Sequence, residues 1–380
     1  MYIEILEDAK SWTTILPDGT VWEAEKKEDA FGQSSAPLHL KVLGVFRVIS
    51  KGYHFDGIAE LCGIHESTLA AYFHPFVSCF VEKYVNKWIN DPARDPINIR
   101  NDMAVYKRLG FPGAVASADC THVRWNMCPD VIEFTGKEGY PTIAYEVCVN
   151  HSKFIRSVTI GHPGTRNDKT IVKMDPYIMG IHKKELLHDV TFDVQRLDGS
   201  WMRCSGAWLI CDNGYHLWRI CQCPIKGAYT DMEIVFNTRF ESVRKDVECT
   251  FGVMKNRFRI LKSGFYYHNR RDIDGVFHMC SILHNMLLVH DGNDIRWRNS
   301  AAWSTRLDED DDDIREGVEA VRNRTGRSSR VVREELEDYA GAGSRGFHGG
   351  EIEEEDTFKE LRNRLVSHFW MNRNTVEWNF

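Results

Sequence analysis

No stretch of the chain reaches the roughly 18 consecutive apolar residues that a membrane-spanning helix needs, so the sequence offers no span. The opening residues MYIEILEDAKSW are acidic and lack an apolar run, which argues against a secretory signal. The eleven cysteines are scattered, odd in number and without a CxxC pair. That excludes a disulfide scaffold and points to reduced thiols in a cytosolic or nuclear protein. Cys221 and Cys223 stand close together, but no second pair accompanies them, so they make a poor zinc site. A Gly-rich phosphate loop of the P-loop kind is also missing, which disfavours nucleotide hydrolysis with such a loop. Nor is there an excess of positive charge: 48 Lys and Arg face 55 Asp and Glu, a net of −7. As a total, that figure argues against a nucleic-acid partner.

What is present changes the reading. The 380 residues are 43% hydrophobic, enough for two or three domains with a real core. Charge is unevenly placed. Residues 291–380 carry 14 basic and 21 acidic side chains, leaving 34 of each in residues 1–290. Six consecutive acids run from Asp308 to Asp313, the pattern of a solvated tail.

Along the chain, residues 1–36 form an arm of mixed character without strong periodicity. Helical spacing begins after Pro37, with Leu38, Val42, Val45, Phe46 and Ile49 on one face. Ile58, Ala59 and Leu61 suggest a short helix, Gly63 a tight turn, and Ser67 onward a second helix carrying Leu69, Tyr72 and Phe73. Residues 37–92 thus have the size and punctuation of a helix-turn-helix. Two readings stand side by side: DNA docking by the second helix, or a plain helical hairpin, since no Arg or Lys lies between Gly63 and Glu82. Residues 93–113 read as a linker and a short helix. Strand texture follows at 114–125, 142–150, 154–162 and 207–212, with a helix after Asn167–Asp168 and long helical patterns at 237–259 and 272–290. Such an order predicts an α/β core, a mixed sheet covered by helices, over residues 114–290. The segment 291–380 is expected to be an acidic, partly disordered tail. It ends in a short helix, because Leu361, Leu365, Val366, Phe369 and Trp370 recur at helical spacing.

Three acids stand out. Asp119 lies within an apolar strand pattern, Asp212 ends the strand AWLIC, and Glu248 falls between Val247 and Cys249 on a long helix. Buried acids are costly unless neutralised or bound to cations. Two acids from strands and one from a crossing helix can form an oxygen cage for Mg²⁺. Around Glu248, Arg244, Gly252 and Lys255 share a helical face. Nine basic residues, Arg257 among them, stand against three acids between Arg239 and Arg271, which suits a polyanion bearing phosphates.

Four blocks, SADCTHVRW (117–125), GHPGTRNDKTI (161–171), ICDNGYHL (210–217) and RKDVECTFGVMKNRF (244–258), together with HMCSILHNML (278–287), resemble PIF/Harbinger-type DDE transposases and the nucleases derived from them. The 35 residues between Asp212 and Glu248 are similar to DDE spacing. The likeness is close over about 111–290 and loose over 37–90. It implies an RNase H-like catalytic core whose DDE triad is Asp119, Asp212 and Glu248, binding Mg²⁺ or Mn²⁺ as two ions. The implied reaction is hydrolysis of DNA phosphodiesters followed by strand transfer. Expected partners are transposon ends and target DNA, further copies of the chain, and a Myb-like DNA-binding protein, with action in the nucleus. An intact triad favours this over the alternative, a domesticated DNA- or protein-binding factor that no longer cuts.

Other polar residues carry separate expectations. Asp168 fits a helix cap or a supporting role beside the acids, with direct metal ligation as the alternative. Arg244, Lys255 and Arg257 are expected to meet DNA phosphates. His122, an odd step from Asp119 on a strand, should face away from it. His284 and Asn285 should serve helix packing, and Asp193 and Asp198 should be loop acids.

Overall fold

The computed structural model describes residues 1–26, 28, 32, 34–89, 96–293 and 350–374. The run Asp308–Asp313 and the boundary at 92/93 therefore lie outside the described residues.

The arm is more ordered than its composition suggests. Helix α1 (Tyr2–Ala9) precedes a hairpin of β1 (Thr13–Ile15) and β2 (Val21–Glu23). Its turn is held by Asp18, which accepts from the amide and hydroxyl of Thr20 at 2.9 and 2.7 Å. The Pro17-Asp18-Gly19 sequence is the signal for that turn. Helices α2 (Leu38–Lys51), α3 (Phe55–Cys62) and α4 (Glu66–Trp88) follow, with Gly63 left-handed between α3 and α4 as the punctuation predicts. The apolar face of α4 is spent on burial: Leu69, Tyr72, Phe73, Phe76, Val77, Phe80 and Tyr84 are all covered.

Helix α5 (Pro96–Arg108) leads into the central strand β3 (Ala114–Arg124). After the single turn α6 (Val131–Phe134) come β4 (Thr142–Val149), β5 (Ile155–Val158) and β6 (His162–Pro163). Two short helices, α7 (Asp168–Val172) and α8 (Pro176–His182), precede β7 (Thr191–Gln195) and β8 (Trp201–Ser205). Strands β9 (Trp208–Ile210) and β10 (Cys221–Gln222) complete the sheet. Helices α9 (Asp231–Arg257), α10 (Ile260–Ser263) and α11 (Arg270–His290) cover it, and α12 (Gly350–Asn372) is the last element.

The main sheet runs β5-β4-β3-β9-β10, with β6 also on β4. Strand β4 is antiparallel to β3 and to β5, whereas β3, β9 and β10 are parallel. This is the expected mixed sheet with a helical N-terminal region. The β7–β8 hairpin corrects the expectation that Asp193 is a loop acid. Asp193 lies in β7 and pairs with Arg203 at 3.0 Å, while Asp198 does sit in the turn, bonded to Ser200.

Both faces of β4 are buried. Ile143, Tyr145, Val147 and Val149 enter the core that also holds α4, α11 and the second half of α9. Cys148 joins the opposite core, with α5, α8 and Trp218. The first of these cores continues without a break from Ile5 to Met286. A third core joins the first half of α9 to β7, β8 and α12 through Phe111, Trp208, Phe236, Phe240, Leu365 and Phe369. The terminal apolar stripe is thus a docked helix.

Candidate active site

Cross-strand partners share a face of a sheet. Asp119 pairs with Val147 and so lies on the side covered by α9, whereas Cys120 pairs with Glu146 and His122 with Ala144 on the other side. His122 bonds Thr142 Oγ1 at 3.0 Å, the structural role expected of it. Asp119 is largely buried and accepts from the Cys120 amide at 2.8 Å. Burial raises its carboxyl to about 7. The Cys120 amide opposes this, Asp212 adds to it, and Arg244 and Asp168 act against and with it more weakly.

Asp212 follows β9 at the start of a tight turn and accepts from the Gly214 amide at 2.7 Å. A Cβ on Gly214 would stand 2.9 Å from Asp212 Oδ1 and 3.1 Å from Asp168 Oδ2. Only glycine lets both carboxylates lean on this point. Asp168 is the first residue of α7, and the side chain that caps the helix is that of Asn167, accepting from Thr170 N at 2.9 Å. The capping role expected of Asp168 therefore belongs to its neighbour. Asp168 stands beside Asp212.

Helix α9 starts at a capping box formed by Thr230 and Glu233. Further along it, Glu248 is half-exposed and accepts from Arg244 Nη1 at 2.8 Å, while Arg244 Nε reaches Glu241 at 2.7 Å. Arg244 is thus held between two glutamates and lies within the field of Asp119. Lys255 is half-buried, its Nζ 3.4 Å from the carbonyl of His122, and burial lowers its pKa. Arg257 is placed at the other side, 3.7 Å from Asp291 near the end of α11. His284 bonds the Lys153 carbonyl, and Asn285 bonds the backbone of Ile155 and Trp88, so both serve packing as expected.

The structure therefore places Asp212 and Asp168 side by side at Gly214, with Asp119 within the electrostatic reach of both, while Arg244 pairs with Glu248. Carboxylates are the hard oxygen donors that Mg²⁺ or Mn²⁺ takes, so the donor chemistry fits such an ion. Among the described residues, though, no three His, Cys, Asp or Glu side chains are close enough together to hold one.

One acid beside the site escaped the sequence reading. Glu146 is fully buried; its carboxyl accepts from Cys120 Sγ at 2.9 Å and from the Tyr215 hydroxyl. Burial pushes it well above the usual range, and the hydrogen bonds from Cys120 and Tyr215 only partly oppose this. The signal was available, since Glu146 is the lone acid in the apolar stretch TIAYEVCVN.

Sequence comparison places the chain. Residues 87–296, more than half of it, match the family described as plant transposon protein. The chain belongs to that family, which is of the Harbinger DDE type. Among curated proteins it is similar to Protein ALP1-like from Arabidopsis thaliana, 22% identical over 260 residues. That alignment covers 66% of this chain and 61% of the relative. No solved structure matches. Among the described residues, no helix is long and apolar enough to cross a membrane.

Proposed function

We propose that the protein is a DDE-type transposase or endonuclease, a metal-dependent nuclease that cleaves DNA phosphodiesters and can join the freed 3′-hydroxyl to target DNA. The observation that carries this reading is the convergence of Asp119 from β3, Asp212 from the end of β9 and Asp168 from α7, with Glu248 one arginine away on α9. Like charges this close, partly withdrawn from water, favour a proton or a cation between them. The strand order, with β9 and β10 parallel to β3 on one side and β4 antiparallel to both β3 and β5 on the other, supports an RNase H-like core.

In this reading Asp119, Asp212 and Glu248 would hold two Mg²⁺ or Mn²⁺ ions, and Asp168 would support Asp212 beside Gly214. The ions supply charge stabilisation at the phosphate and a nucleophile at neutral pH. The chain's own residues do the rest. Asp119 would release its proton to solvent when a cation binds beside it, since opposite charge favours the ionised carboxylate. Arg244 turns from Glu248 to a DNA phosphate, which frees the glutamate to face the other acids. Lys255 offers a second phosphate contact beside β3, whereas Arg257, about half a turn round α9 from Glu248 and paired with Asp291, is left off this path. Transposon ends and target DNA, further copies of the chain and a Myb-like protein that supplies sequence specificity complete the proposal, with action in the nucleus.

One observation favours the second reading, a domesticated DNA- or protein-binding factor without cleavage: the Glu248 carboxylate is occupied by Arg244 rather than turned to the aspartates. A nicking assay on supercoiled DNA with Mg²⁺ separates the two. Wild type should nick, and Asp119→Ala should lower the rate by at least about a hundredfold. Equal rates for the two proteins would exclude the mechanism.

A further inference from the structure

Segment 259–271 follows α9 and turns back to α11 against the helical N-terminal region. Two glycines make that close approach. Gly52 caps α2 with φ +67, and a Cβ there would stand 2.9 Å from the backbone of Arg259 and Ile260. Gly264 has φ +87, and its Cβ would meet the Arg124 carbonyl at 2.9 Å. The Arg259 amide donates to the Ser50 carbonyl at 3.2 Å across the seam. Beside it lies a cleft of about 100 Å³ lined by Gly52, Tyr53, His54, Phe55, Tyr266 and Tyr267.

The cleft wall is aromatic and much of it open to solvent. Tyr53 is 57% and Tyr266 47% exposed, and the rings of His54 and Tyr266 meet edge-on at 4.6 Å. Exposed cations flank it in sequence: Lys51 beside Gly52, and Arg259 and Lys262 on either side of Ile260 and Leu261. Asp56, the nearest acid in sequence, has its carboxylate turned to the Gly57 amide at 2.7 Å. Aromatic faces next to unpaired cations are the chemistry that takes an unstacked base and its phosphate. The cleft lies just past the C-terminal end of α9, the helix that carries Glu248. Lys255 lies seven residues beyond Glu248, roughly 10 Å along the axis of α9 at ~1.5 Å per residue, and Arg259 follows just past the helix end.

We infer that the Tyr53–Tyr266 cleft is a docking site for a single-stranded DNA segment, whose bases stack on Tyr53 and Tyr266 and whose phosphates meet Arg259 and Lys262. The inference rests on the nuclease reading only in taking DNA as the partner. It would let the protein hold a strand frayed from the duplex while the scissile phosphate lies at the acids.

The test is fluorescence anisotropy with the full chain in EDTA, where nothing is cut. One probe is a labelled blunt duplex, the other the same duplex carrying a single-stranded thymidine arm. The armed duplex should bind about tenfold tighter. Tyr266→Ala should erase that preference and Tyr266→Phe should keep it. Replacing Arg259 and Lys262 by Gln should weaken binding and flatten its salt dependence. Equal affinity for the two probes, tighter binding of the blunt one, or an unchanged preference in Tyr266→Ala would overturn the docking site. A protein that keeps the preference but never nicks DNA would sink the nuclease reading alone, and one that nicks without the preference would sink this inference alone.

Discussion

A carboxyl held at about 7 means that Asp119 binds its proton more tightly in the folded chain than in the unfolded one. The sign follows from linkage. The folded state keeps this proton where the unfolded aspartate, near 3.8, has lost it. Stability without metal therefore falls as pH rises from about 4 to 7 and stays low above that, a loss on the order of a few kcal/mol. Asp119→Asn never acquires the charge. In EDTA it should melt above wild type at pH 8, with the gap closing toward pH 4. A gap that stays constant across that range would mean the acid is not desolvated. Asp119 was legible in the sequence because it interrupts an apolar strand. Glu146 interrupts the next strand in the same way and was passed over, since its partners Cys120 and Tyr215 come from other segments. A place for Asp168 beside the acids was one of the roles its sequence position offered; that it meets Asp212 in particular depends on a glycine contact between α7 and the turn after β9.

Among the elements, α9 carries the most. Asp246 is buried and holds His151 at 2.7 Å and Lys153 at 2.5 Å, both from the turn between β4 and β5. Two residues along a helix is a rotation of roughly 200°. Fixing Asp246 inward therefore turns Glu248 and Arg244 outward, toward the site. Asp246→Ala takes the carboxylate from a buried lysine and should cost about 3–5 kcal/mol, read as a lower urea midpoint. It should also slow nicking, because α9 can then rotate. Unchanged stability would show the pair to be energetically idle. The long helices were legible from their apolar stripes. The β7–β8 hairpin was not: its outward face is exposed, and only Phe192, Val194 and Cys204 turn inward, too few to display alternation against Asp193 and Arg203. The register of β3 against β9 was likewise beyond reach, because parallel pairing is set by elements nearly a hundred residues apart.

At the scale of the molecule, the net charge of −7 proved a poor guide, because the charges are segregated along the chain. The uninterrupted core from Ile5 to Met286 says more. Helix α4 is buried chiefly against α11, so the helical region and the sheet should unfold together. A single denaturant transition, coincident by far-ultraviolet dichroism and tryptophan fluorescence, is the expected result. Two separated transitions would show the helical region to be an independent domain.

The same feature bears on how copies of such a gene fall silent. All four candidate acids are encoded before residue 249, yet α11 and α12, which bury much of what holds them, are encoded afterwards. A copy with a stop codon just past α9 would retain every candidate acid while its product lacked the core needed to fold. Reading frames that look intact through the last acid are therefore no measure of a working protein. For the same reason, truncated transcripts should yield chains that are degraded rather than accumulate.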